Sequence, residues 1–152
     1  MSNSKRKTVL NYLRDTVFKG ISVAGGYNFD VVDVERGIRE VDSLPNSSFP
    51  AIFISKTVEH RKNITVNQFH GMIDIIVFGI VKKRTSSLVG LQEDLDDLIE
   101  DITKALEADR TFGNRVKWME ITGIETDDGD RDPFAVCAVT VSLVYCSEGV
   151  TP

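Results

Sequence analysis

The spacing of apolar residues predicts two helices in this chain. Near the N-terminus, apolar residues recur every three or four positions up to Gly20, which predicts a helix over about residues 4–19. A second, longer run with the same spacing predicts a helix over 88–109. The apolar positions are Val9, Leu10, Leu13 and Val17 in the first helix, and Leu88, Leu91, Leu95, Leu98, Ile102 and Ala105 in the second.

Runs rich in β-branched and aromatic residues predict four strands. Two long strands, 51–60 and 72–81, precede the second helix, and two more, 116–125 and 134–146, follow it. An Asp-Gly turn and a proline boundary separate the last two, which predicts a β-hairpin with an acidic tip.

The first helix is followed by a long irregular connection over about 20–50, in which only 29–34 has strand character. The chain shows no internal repeat and no linker. The order of elements therefore predicts one domain, 1–152, of the α/β class. We expect an antiparallel or mixed sheet of about four to five strands, packed by two main helices.

The predicted strand 72–81 has apolar residues on both of its faces. One face can pack under the helices, but the other needs more chain or a second subunit to cover it. We therefore predict that this second face contributes to a subunit interface. The predicted interface residues are Ile76, Phe78, Ile80 and Trp118.

Composition and charge narrow the class of protein. The 152 residues are 41% hydrophobic and 27% charged, as in a soluble globular protein. The net charge of −5 argues against a protein that coats nucleic acid through its overall charge. The longest uncharged apolar run, 134–146, is shorter than the roughly 20 residues of a membrane helix. Cys137 and Cys146 fall on opposite faces of one strand, so they cannot bridge each other, and we expect a reducing compartment.

Motifs for catalysis or cofactor binding are weak. The glycine spacing of 20–25 matches a phosphate loop, but Gly26 stands where the lysine is needed. The acidic hairpin tip fails as a calcium loop because Ile124 would occupy the first ligand position. His60 and His70 have no metal-ligating neighbours at the right spacing. We expect no enzymatic activity, no metal and no cofactor.

Charge is distributed unevenly along the chain. The segment 88–109 holds eight acidic residues and only Lys104 as a base, which leaves a net charge of +2 for the remainder. Pairs such as Glu93 and Asp97 place like charges four residues apart, which costs about 0.2–0.5 kcal/mol per pair. Burial of the helix's leucines can offset this cost without any function. Alternatively, the acidic face meets a basic partner or lines a space that is kept negative.

Several blocks of the second half of the chain resemble a known family. The blocks are the acidic helix, the turn 109–113, the segment 121–129, the segment 133–136 with the strand that follows it, and Phe49-Pro50-Ala51-Ile52 before a long hairpin. In order of elements and turn chemistry, they resemble the tail terminator (tail completion) proteins of long-tailed bacteriophages. The resemblance covers roughly residues 49–147.

The resemblance implies a structural protein of the virion and not an enzyme. Such a protein forms a ring, expected to be hexameric, that caps the head-proximal end of the tail tube, ends tube polymerisation and joins the tail to the neck. Its partners are other copies of itself, the tail tube protein and a neck or head-completion protein. The ring encloses DNA without binding it specifically. The expected location is the tail–neck junction of the virion, after assembly in the bacterial host cytoplasm.

Within such a ring, the charged residues receive expected roles. Two basic clusters at opposite ends of the long hairpin are predicted to contact tube or neck: Arg61 and Lys62, and Lys82, Lys83 and Arg84. The lumen or acidic face is predicted to include Asp96, Asp97, Asp101, Asp127, Asp128 and Asp130. Another neck, connector or tail-tube component, or an unrelated α/β protein-interaction module, remains an alternative.

Overall fold

The computed structural model describes residues 5–37, 44–65, 68–83, 88–127 and 133–147. Two main helices, two single-turn 3₁₀ helices (Val23–Gly25 and Asn46–Ser48) and five strands occur within these ranges. The first helix, α1, spans Lys5–Tyr12 and continues as a wider π-helical segment over Leu13–Phe18. The other elements are β1 (Asp33–Arg36), β2 (Ala51–Thr65), β3 (Gln68–Lys82), α2 (Leu88–Ala108), β4 (Trp118–Thr126) and β5 (Phe134–Ser147).

The described strands form one sheet in the order β1-β2-β3-β5-β4. β1 pairs with β2 in parallel, and all other pairs are antiparallel. The predicted α/β fold, a mixed sheet packed by two main helices in a single domain, is confirmed. Both predicted helices are present, and α2 ends one residue before the predicted end.

The hairpin of β2 and β3 is longer than the sequence indicated. Pairing runs from Ala51 opposite Ile80 to Thr65 opposite Gln68, with irregularities after Ser55 and Asn63. The prediction that the first of these strands ends at residue 60 was wrong, because strand pairing continues to Thr65. Residues 61 and 62 belong to β2 and pair with residues 71 and 70 of β3.

The main core lies between the helices and one face of the sheet. Leu95 and Leu98 of α2 are fully buried against the inward-facing side chains of β3 and β5. Gly79 of β3 lets the helix approach closely, since a Cβ atom there would lie 2.8 Å from Cδ1 of Ile102. The sequence pattern of α2 thus reflects real burial, which stabilises the helix despite its like charges.

The second face of β3 is covered in part by the protein's own chain. Ile80 packs with Leu44, Ala51 and Phe53 in a smaller apolar cluster and is only 3% exposed. The assignment of Ile80 to a subunit interface was therefore wrong, since the segment before β2 already covers it. Ile76 and Phe78 are half-buried on the same face.

The irregular connection after α1 is fastened to α2 by a buried carboxylate. Asp101 is 1% exposed, and its two oxygens accept the backbone N–H groups of Asn28 and Phe29, both at 2.9 Å. Burial raises the pKa of Asp101, while these two hydrogen bonds favour the ionised form and act in the opposite direction. The assignment of Asp101 to an exposed acidic face was wrong, because this carboxylate faces the connection. Lys104 adds a second attachment by donating to the carbonyl of Gly26 at 2.8 Å.

The turn after α2 is organised by Asp109. Its carboxylate accepts the N–H of Gly113 at 2.7 Å and the hydroxyl of Thr111 at 2.9 Å. Gly113 and the residue before it have positive φ angles, so the turn depends on these hydrogen bonds to hold an unusual backbone path. The Gly113 hydrogen bond is the largest cause that lowers the pKa of Asp109 below its ordinary value of 3.8.

Replacing Asp109 with asparagine should therefore destabilise the protein at neutral pH and not in acid. A lowered folded-state pKa contributes stability above the ordinary carboxyl pKa, and this contribution is lost as the pH falls through the folded-state value. Urea unfolding of Asp109→Asn and the natural protein at a series of pH values should show a difference that vanishes in acid. A difference that stayed constant into strong acid would contradict this role.

Candidate interaction surface

The far half of the sheet, on the face opposite α2, carries exposed apolar side chains. Trp118 of β4 lies opposite Val144 of β5, which in turn lies opposite Met72 of β3. Trp118 is 42% exposed and Met72 is 38% exposed, whereas the next residue in each strand is buried in the main core. An indole and a thioether exposed in one row of a sheet are typical of a contact surface.

Basic residues surround this apolar row. The row and its neighbours line a shallow depression of about 390 Å³. We call this surface the open patch; its lining residues are His60, Arg61, Lys62, His70, Gly71, Met72, Lys117, Trp118 and Val144. Lys62 and Lys117 are exposed, so their charges lie at the rim. The patch therefore presents an apolar centre with a positive margin, which suits a partner that is apolar with acidic groups around it.

The opposite side of the same sheet end is held by Tyr145. The Tyr145 ring lies over Gly71, where even a Cβ atom would overlap it, and its hydroxyl donates to Glu59. Burial, together with the neighbouring Glu59 carboxylate, raises the pKa of Tyr145 to about 12, so the phenol stays protonated. Glu59 also pairs with Arg61 at 3.3 Å. These contacts fix the hairpin end from behind and leave the open patch on a rigid support.

The arrangement beside the patch does not match a catalytic triad. Asp74 lies between His60, 3.9 Å from its carboxylate, and Ser142, whose hydroxyl donates to it. Nucleophilic catalysis needs the imidazole between the hydroxyl and the carboxylate, so that the base can take the hydroxyl proton. Here the serine hydrogen bonds to the acid instead. In the described part of the chain, no three metal-ligating side chains come together either.

Residues predicted for two different roles meet in this patch. Trp118 was predicted to contact another subunit and Lys62 to contact tube or neck, yet both line one depression. Arg61 also borders this depression, but its side chain pairs with Glu59 on the Tyr145 side of the sheet. The patch also includes Met72 and Lys117, which sequence reasoning missed. Two signals were available in the sequence. Met72 is an apolar residue on the exposed face of β3, and Lys117 is a lysine next to the sole tryptophan.

The second basic cluster lies at the other end of the sheet, as predicted. Lys82 contacts Asn46 and lies over the ring of Phe134, 5.6 Å from its centre. The backbone N–H of Lys83 donates to the carbonyl of Pro133 at 2.8 Å. Lys82 therefore also attaches the segment before β2 to the sheet. Arg84 lies outside the described residues.

The predicted acidic residues are found in different environments. Asp96 and Asp97 are exposed on α2, as expected for an acidic face. Asp127 is half-buried directly after β4, and its N–H donates to the carbonyl of Val136 at 3.1 Å. The structure therefore keeps Asp127 near the end of the hairpin. Asp128 and Asp130 lie outside the described residues.

Comparisons with known proteins add no relative to this description. No protein-family model matches the chain, and no curated protein matches its sequence. Among the described helices, none is both long and apolar enough to cross a membrane.

Proposed function

We propose that the protein is a non-enzymatic structural component of a phage virion. In this proposal it forms a ring, expected to be hexameric, that caps the head-proximal end of the tail tube, ends tube polymerisation and joins the tail to the neck. The resemblance of its element order and turns to tail terminator proteins suggests this role. The open patch is the structural observation that supports it most directly.

The composition of the open patch favours protein docking. Exposed tryptophan and methionine at the centre match residue types that are enriched at protein interfaces, and the exposed lysines form a charged rim around them. The neighbouring His60, Asp74 and Ser142 lack the geometry for nucleophilic catalysis. We assign the patch to contact with the tail tube or neck protein.

The net charge of the chain is also consistent with a ring around DNA. Each copy carries a net charge of −5, so a ring of several copies is strongly negative. Acidic groups that face a lumen do not retain a phosphate backbone, whereas lysine and arginine there would bind it. DNA can then pass through without being held.

Replacing Trp118 and Met72 together with alanine should leave the ring intact and weaken its docking. We expect at least about a tenfold loss of affinity for tube ends or neck protein, because truncating a central tryptophan commonly removes more than about 1.4 kcal/mol. Negative-stain microscopy reports ring formation, and capping of tubes grown from purified tube protein reports docking.

The matched control is Val32→Ala with Ile124→Ala, two exposed apolar residues outside the patch. This control should cap tubes normally. A natural protein that forms no ring and leaves tube growth unchanged would refute the proposal. Labelled protein found along the tube, and not at its end, would favour a tube component instead.

A further inference from the structure

Three arginines converge at the outer edge of the sheet, next to β1. A depression of about 430 Å³ lies there, and Arg14 and Arg36 are among its lining residues. A third arginine, Arg6, reaches the wall of the depression by donating to the Thr57 hydroxyl. We call Arg6, Arg14 and Arg36 the arginine cluster. The depression is lined by Arg14, Arg36, Gly37, Ile54, Ser55 and Thr57.

The hydrogen bonds of the cluster neutralise only part of its charge. Arg36 donates to the side-chain carbonyl of Asn11 at 3.2 Å, and the acceptor of Arg6 is likewise uncharged. Among the described residues, Arg14 alone of the three is paired with a carboxylate, that of Asp15 at 2.8 Å. The three guanidinium groups therefore share one described carboxylate, which leaves a net positive charge on this part of the depression.

The effect of this crowding is evident at Arg36. Its pKa is lowered, first by partial burial and then by the positive charges of Arg14 and Arg6. Like charges that are held together in a concave site are stabilised when an anion enters it. Arginine binds carboxylates with two parallel hydrogen bonds, and the Ser55 and Thr57 hydroxyls at the wall can add donors.

The same chain carries a surface of opposite charge. Glu93, Asp96, Asp97 and Glu100 are exposed along one side of α2, and we call them the acidic face. Lys104 is the one base on this helix, and it is occupied by the Gly26 carbonyl and the Tyr27 ring, 4.9 Å from the ring centre. The acidic face therefore lacks a compensating lysine or arginine on its own helix.

We propose that the arginine cluster of one copy binds the acidic face of α2 of the next copy. This inference rests on the proposed ring, because it specifies which surfaces join its subunits. The arginine cluster lies by the outer strand β1, whereas α2 packs over β3 and β5, so the two surfaces are distinct. Contact between two different surfaces of one chain repeats from copy to copy and closes into a ring when the rotation permits.

Charge reversal tests the contact. Arg14→Glu with Arg36→Glu should weaken self-association at least about tenfold, and Asp96→Lys with Asp97→Lys should do the same, since close interfacial charge pairs couple strongly. Mixing the two double variants should restore assembly, because every contact between the two kinds of subunit again joins opposite charges. A chain that carries all four changes should assemble within about threefold of the natural protein. Sedimentation velocity across a concentration series measures each constant.

A control and a milder variant keep the test decisive. Arg110→Glu reverses an exposed charge elsewhere and should assemble normally. Arg14→Gln with Arg36→Gln removes the charges if the glutamate pair fails to fold, and it should weaken assembly too. Circular dichroism confirms folding of each variant.

The possible outcomes separate this inference from the proposed function. A natural protein that stays monomeric at about 100 μM would refute the ring and this contact together. A ring that tolerates both reversals would refute this contact and leave the ring standing. If inorganic phosphate binds the natural protein, and Arg14→Glu with Arg36→Glu abolishes that binding without changing assembly, the cluster is a site for a free oxyanion and the contact is overturned.

Discussion

Replacing Asp101 with alanine should lower the free energy of unfolding by about 3 kcal/mol, because it removes a buried carboxylate and leaves two partly buried backbone N–H groups without their acceptor. These groups belong to Asn28 and Phe29, and both donate to the Asp101 carboxylate. Through them, the carboxylate joins the connection after α1 to the middle of α2. For a domain of this size the melting temperature should fall by roughly 6–12 °C.

Asp101→Asn is the matched control, since it keeps the shape and one acceptor oxygen. It should cost clearly less than the alanine variant. Asp97→Ala, at an exposed position four residues earlier, should change stability by less than about 0.5 kcal/mol. Urea unfolding at neutral pH measures all three. Equal stability of Asp101→Ala and Asp97→Ala would show that the connection does not depend on the buried carboxylate.

Replacing Gly79 with alanine should destabilise the protein by roughly 2–3 kcal/mol, since overpacking a filled core commonly costs this much. A Cβ atom at this position would lie 2.8 Å from Ile102 Cδ1 and 2.9 Å from Cys137 Sγ, closer than such atoms can approach. Both neighbours are fully buried in a packed core, so their side chains, the helix or the sheet must shift to make room.

Gly123→Ala provides the control for this prediction. Gly123 lies in β4, where an added Cβ atom would meet nothing within 4 Å. Alanine there should be neutral or slightly stabilising, because it reduces the backbone freedom of the unfolded chain. Thermal unfolding of the two variants side by side measures the difference. If Gly79→Ala proved as stable as Gly123→Ala, the close approach of α2 to β3 would be contradicted.

The fold was largely predictable because local patterns determine its main elements. The three- and four-residue spacing that includes Leu91, Leu95 and Leu98 marks α2, and these residues are buried as expected. The length of the first hairpin was not predictable in the same way. Charged and polar residues near residue 61 indicate a loop, yet hydrogen bonding across the hairpin extends the strands through them.

The candidate surface was harder to predict, since it depends on which residues of distant strands become neighbours. Trp118, Val144 and Met72 share a row only because the β3–β5 and β4–β5 registers align them. The environments of Asp101 and Ile80 likewise depend on irregular segments, and such segments have no periodicity from which their packing can be inferred. The sequence shows which side chains are charged or apolar, but it does not show which other segments of the chain pack over them.

The outer strands of the sheet limit how copies of the chain can associate. β1 offers only four residues, and β4 is interrupted by an irregularity between Ile121 and Gly123 and carries exposed Glu120 and Glu125. Short strands, bulges and charges at a sheet edge discourage the backbone of another chain from adding to it. Open-ended, edge-to-edge extension of the sheet into fibrils is thereby disfavoured. In the proposed ring, copies would then meet through their side chains, whose geometry can close an assembly at a fixed number of subunits.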